Sequence, residues 1–180
     1  MLMRQGIFVL SLFILMFSGC QRPSARKTLS NYYSHEVVFP KSLDCVHGMT
    51  PQRYTLSDSV PKMVVFIDST ECTSCRIGKL IQYSQIETQA LNTGKFMLVL
   101  IMSPKQKDYS FARHEVEIRG YPFDVYFDPL HEFRSHNSFI SDDIRFHAFL
   151  TNASHFPVMV GDPSYGERLR SLFEQVIDSF

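Results

Sequence analysis

Two unbroken apolar runs mark the chain, residues 63–67 (MVVFI) and 96–102 (FMLVLIM). Continuous rather than alternating patterning is what a strand covered on both faces requires, so both are predicted as buried parallel strands. The first run is followed by a short polar turn and then by a helix whose Ile77, Leu80 and Ile81 are expected to point inward; it is predicted to end near Asn92-Thr93-Gly94. After the second run, residues 108–119 are predicted as a helix with Phe111, Val116 and Ile118 apolar and Gly120 closing it. Residues 121–127 (YPFDVYF) alternate and stop at Asp128-Pro129, which predicts a further strand. Residues 146–150 and 156–160 flank the segment TNASH and predict a hairpin. Ser164-x-x-Glu167 has the spacing of a capping box, opening a last helix with Leu169, Leu172, Phe173, Val176, Ile177 and Phe180 on one face. Upstream, residues 35–39 (HEVVF) are expected to form an edge strand, and residues 43–61 are mixed, punctuated by Gly48, Pro51 and Pro61. Residues 131–145 carry no clear period. The order β-α-β-α-β-β-β-α predicts an α/β fold, a central mixed sheet flanked by helices.

The N-terminus obeys a different pattern. Arg4 precedes the apolar run 7–17, and small residues precede Cys20. Residues 1–19 therefore read as an export signal, and the run is short for a membrane span. The stretch Phe17-Ser18-Gly19-Cys20 resembles the bacterial lipobox, which implies lipidation of Cys20. Acyl chains would hold the mature protein at a membrane without spanning it. Residues 20–34 are polar with Pro23 and are expected to be a flexible tether, which leaves residues 35–180 as one folded domain.

Composition narrows the partners. Apolar residues make up 44% of the 180, enough for a packed core. Eighteen basic and eighteen acidic residues cancel, which points away from nucleic acid. The four cysteines, Cys20, Cys45, Cys72 and Cys75, stand in different contexts and do not form a disulfide framework. Cys45 reads most simply as a half-buried spectator, with a third redox thiol or a disulfide partner as alternatives.

The chemistry concentrates at Cys72-Thr73-Ser74-Cys75, at the predicted start of a helix after a buried strand. Unpaired N–H groups and the macrodipole favour a thiolate there. Cys72 is the expected nucleophile toward a disulfide, and Cys75, one turn on, the expected resolving thiol. A zinc half-site is the rival reading, but it needs two more ligands and the chain has no second C-x-x-C. Glu71 beside Cys72 is expected to oppose the thiolate, and Arg76 and Lys79 to support it or to be a solvated face.

Together, VVFIDSTECTSC, FMLVLIM, YPFDVYFDPLHEF and FHAFLTN resemble the thioredoxin superfamily, on the branch of TlpA-like and redoxin-like envelope lipoproteins of Bacteroides-like bacteria. That resemblance implies a thioredoxin-like fold and a membrane-tethered thiol–disulfide oxidoreductase in the periplasm or cell envelope. Its catalytic pair would be Cys72 and Cys75. No cofactor is implied; the partners would be envelope proteins with disulfides and an electron-donating thiol protein. The chain departs from the family in lacking Trp, in having Thr73-Ser74 between the cysteines, and in having no proline between Pro129 and Pro157. Phe146 falls where the family's substrate-orienting proline would stand and is the expected substrate-groove residue. Reduction is the favoured direction. The alternative implied by the same fold is a Sco-like copper chaperone with Cys72, Cys75 and His147 as ligands, His155 being a weaker choice. A peroxidase using Thr70 and a redox-inactive adaptor rank below these.

Overall fold

The computed structural model describes residues 24–48, 56 and 59–180. The export signal and Cys20 lie outside the described residues. Six strands form one mixed sheet, β1 (Asp44–Val46), β2 (Lys62–Ile67), β3 (Met97–Met102), β4 (Val125–Phe127), β5 (Ala148–Thr151) and β6 (Pro157–Val160), ordered β1-β4-β3-β2-β5-β6. Strands β2, β3 and β4 run parallel, while β1, β5 and β6 each pair antiparallel with their neighbours.

The two apolar runs are the two central strands, every residue of β2 and β3 being buried. Period-2 side-chain alternation divides them between two cores. Met63, Val65 and Ile67 join Leu98, Leu100 and Met102 on one face. That face is covered by α2 (Thr73–Lys79), α3 (Ser84–Thr93), α4 (Tyr109–Arg119) and α6 (Glu167–Asp178), which contribute Ile77, Ile86, Val116 and Phe173. Val64 and Phe66 face the other way, toward Tyr32 of α1 (Ala25–Ser34) and Phe133 of α5 (Glu132–His136). Each such buried side chain contributes roughly 1.5–3 kcal/mol relative to exposure. Strand β2 also buries Lys62 completely, its Nζ donating to the Val60 carbonyl at 2.9 Å and lying 3.0 Å from His155 Nε2.

Gly94 and Gly120 end α3 and α4 in the left-handed conformation, as their positions predict. Between α2 and α3 the chain tightens into a 3-10 turn, Leu80–Tyr83. Ile77 and Leu80 point inward as expected, but Ile81 is exposed, because this turn shifts the apolar face. Phe111 and Ile118 on α4, Leu172 on α6 and Phe180 just past its end are exposed as well.

Four expectations are corrected. The segment expected as a flexible tether forms α1 over Ala25–Ser34, capped by Ser24 and anchored by a fully buried Tyr32. One aromatic with a satisfied hydroxyl is enough to dock a polar helix: Tyr32 Oη donates to the Phe146 carbonyl at 2.8 Å. Residues 35–39 form no strand; buried Asn137 clasps Val38 instead, accepting from its N–H and donating to its carbonyl, both at 2.8 Å. The edge strand is β1, inside the mixed segment. The capping box does not form: the N-cap of α6 is Gly166, and Ser164 N–H donates to Asp162 Oδ1 at 2.8 Å. Strand β4 begins only at Val125, since Tyr121 and Phe123 stack on one another in the core instead of extending the ladder.

Candidate functional site

The chain leaves the C-terminal end of β2 at Asp68 and turns directly into α2. Asp68 closes the turn: its Oδ1 accepts the Thr70 N–H at 2.8 Å and its carbonyl accepts the Glu71 N–H at 3.0 Å. Glu71 answers with Oε1, which accepts the Asp68 N–H at 3.1 Å. Cys72 then takes the N-cap position with extended backbone, and its sulfur accepts the Cys75 N–H at 3.4 Å. A sulfur is thereby held against the unpaired N–H groups of a helix start, where negative charge is stabilised. Cys72 and Cys75 are joined as a disulfide, with Cα atoms 5.3 Å apart. Both are exposed, and the Ser74 hydroxyl lies 3.6 Å from Cys72 Sγ.

Beneath this exposed pair lies a charged layer that sequence reading missed. Glu71 does not confront Cys72; its carboxylate turns inward, only 6% exposed, with Oε2 3.1 Å from Arg76 Nε and Oε1 3.2 Å from His147 Nδ1. The Arg76 contact is an ion pair rather than an aligned hydrogen bond, and Arg76 donates through a terminal nitrogen to Tyr165 Oη at 3.3 Å. Burial works against the Arg76 cation, but Glu71, Tyr83 and Tyr165 together hold its pKa above the ordinary guanidinium value. The expected opposition of Glu71 to a Cys72 thiolate is therefore largely cancelled inside the fold. Glu71 and Arg76 are five residues apart, outside the i, i+3 and i, i+4 spacings that pair side chains on a helix, and His147 comes from the far side of the sequence, so neither contact was legible locally.

His147 is buried, and its Nε2 faces the Ser141 carbonyl at 2.8 Å while Nδ1 faces Glu71. Both ring nitrogens are engaged by oxygens of the fold, and Cys72, Cys75 and His147 do not converge as a trio among the described residues. The structure thus does not offer His147 to Cys72 and Cys75 as a third ligand. His155 is also elsewhere, against Lys62 and edge-on to Phe39. Phe146 is half-buried, its ring tilted against Tyr32 at 6.4 Å, in the turn that the Glu71–His147 contact ties to the cysteine pair. Tyr121 is a core residue whose hydroxyl donates to the Ile77 carbonyl. Lys79 is exposed.

Among the described residues no helix is long and apolar enough to cross a membrane. No family model matches the chain, and no curated protein matches it. Solved structures do resemble it. A thioredoxin-like protein from Porphyromonas gingivalis is 16% identical with a TM-score of 0.51, over 82% of this chain and 92% of that one. The exposed lipoprotein thioredoxin of Streptococcus pneumoniae is 16% identical with a TM-score of 0.49, over 77% of this chain and all of that one. A thioredoxin-like protein from Bacteroides caccae is 12% identical with a TM-score of 0.47, over 87% and 53% of the respective chains. The mixed sheet with its flanking helices is thus a thioredoxin-like fold, and it carries Cys72 and Cys75 as a C-x-x-C pair at disulfide distance where its first central strand turns into a helix.

Proposed function

We propose that the protein is a thiol–disulfide oxidoreductase of the bacterial envelope, tethered to a membrane by lipid at Cys20 and working as a disulfide reductase. The observation that carries this reading is the exposed Cys72–Cys75 disulfide at the N-cap of α2. In the reduced protein the Cys72 thiolate attacks one sulfur of a substrate disulfide, forming a mixed disulfide and releasing the other substrate sulfur as thiolate. Cys75, deprotonated to solvent, attacks Cys72 Sγ, re-forms the internal disulfide and releases the second substrate sulfur. Two electrons pass from the dithiol to the substrate. A donor dithiol partner returns them by the same exchange in reverse, which an oxidising compartment makes necessary. Phe146 would border the groove for the substrate peptide.

The charged layer supports the reducing direction. A strongly oxidising pair has its reduced form stabilised. Here the Arg76 cation is paired with Glu71, which leaves the helix start, the Cys75 N–H and the Ser74 hydroxyl to support the Cys72 thiolate. That modest support favours a low potential. The test is the reduction potential of the pair, with and without copper. A couple near about −270 mV supports a reductase, and one near about −120 mV makes it an oxidant. The variant Cys75→Ser is expected to accumulate a mixed disulfide through Cys72 in cells; wild-type exchange activity with no trapped species would overturn the assigned roles.

A further inference from the structure

A second set of metal-ligating side chains converges away from the cysteine pair, at the N-terminal end of β4, whereas the C-x-x-C turn leaves the C-terminal end of β2. Strand β1 carries Cys45, and His47 follows just past the end of that strand. Cys45 stands opposite Tyr126 in the ladder, and Asp124 immediately precedes β4. Cys45 Sγ is 3.7 Å from His47 Nδ1, and His47 Nδ1 is 3.6 Å from Asp124 Oδ2. One donor atom from each of the three lies within 4.8 Å of the others, and they are the only such trio among the described residues.

Those separations suit a metal centre. With bonds of about 2.3 Å to sulfur and 2.0–2.1 Å to nitrogen and oxygen, a tetrahedral zinc site has S···N and N···O edges of roughly 3.6 and 3.3 Å. The backbone is built around the approach. Asp124 Oδ1 accepts the Gly48 N–H at 2.8 Å, which leaves Oδ2 toward His47. Gly48 is held so close to the segment before β4 that a Cβ there would lie 2.5 Å from the Phe123 carbonyl carbon, so only glycine lets residues 47–48 close on Asp124. Cys45 is a free thiol, and on binding a metal its proton would pass to solvent.

We propose that Cys45, His47 and Asp124 bind one zinc-class divalent ion, with the fourth tetrahedral position left to water or an added ligand. Sulfur, imidazole and carboxylate together suit zinc better than magnesium or calcium. The ion would fasten edge strand β1 to β4.

The test uses the full chain, metal-free, anaerobic and with the Cys72–Cys75 disulfide intact, titrated with Zn(II) and, for its optical signature, Co(II). One equivalent of Co(II) is expected to give a thiolate-to-cobalt charge-transfer band, displaced by Zn(II), and Zn(II) is expected to raise the melting temperature. Cys45→Ser should abolish the band. His47→Ala, at a largely exposed side chain that the fold does not need, should weaken binding at least tenfold. Cys20→Ser should leave binding as it is. A folded chain with no band, a band unchanged in both Cys45→Ser and His47→Ala, or a band lost in Cys20→Ser overturns the site.

Discussion

Glu71 Oε1 lies 3.2 Å from His147 Nδ1, which joins the residue before the C-x-x-C motif to the turn that enters β5. The same carboxylate pairs with Arg76 on the other side. Replacing Glu71 by Ala strands a largely buried guanidinium and a buried histidine at once. Breaking such a pair by removing one partner is costly, and the expected loss is about 3 kcal/mol of unfolding free energy. Glu71→Gln keeps an oxygen for the Asp68 N–H and should cost less. Both variants free the Arg76 cation to stabilise the reduced form, so the potential of the cysteine pair should rise by roughly 30 mV, equivalent to about 1.4 kcal/mol. Urea unfolding gives the first quantity and a thiol redox titration the second. A potential that does not move would show the charged layer to be structural only.

Tyr83 donates to Asp162 Oδ2 at 2.6 Å, and both side chains are buried. Tyr83→Phe leaves that carboxylate oxygen without this donor while keeping the ring, so the expected loss is about 1–2 kcal/mol. Burial, then the Asp162 charge and its hydrogen bond, raise the phenol pKa. The sign follows from that: the contribution is complete below the unfolded phenol value of about 10 and is lost as pH climbs toward the higher folded value. Wild type should therefore lose stability above about pH 10 more steeply than Tyr83→Phe. Parallel alkaline slopes in denaturant melts would refute this account.

Tyr32 fixes α1 to the body through two bonds, donating to the Phe146 carbonyl at 2.8 Å and accepting the Ser141 N–H at 3.2 Å. Its ring also sits edge-on to Phe149 and Phe139. Tyr32→Phe removes only the hydroxyl and should cost about 1–2 kcal/mol. Tyr32→Ala also empties a core position and should cost about 3–5 kcal/mol. Amide exchange in α1 and in the Ile144–Phe146 turn should quicken together in Tyr32→Ala; α1 amides alone responding would mean that the helix does not support the turn.

Much of the fold and part of the site were legible in the residues themselves. The unbroken runs in β2 and β3 pointed to elements covered on both faces, because water on either face would oppose so much apolar surface, and their shortness pointed to strands. Gly94 and Gly120 ended their helices because a left-handed residue is needed there and glycine supplies it without strain. The C-x-x-C spacing after a strand set Cys72 and Cys75 one helical turn apart, where a disulfide reaches. These are local patterns, each contained within a few residues. Tertiary structure decided what depends on contacts between distant segments. It turned Glu71 inward, because Arg76 and a histidine 76 residues away offer its carboxylate better partners than a solvent-facing cysteine does. It made a helix of a polar segment, because Tyr32 found a core and two hydrogen-bond partners more than a hundred residues on. It gathered Cys45 and His47 around Asp124 by strand register, which side-chain periodicity within either segment does not encode.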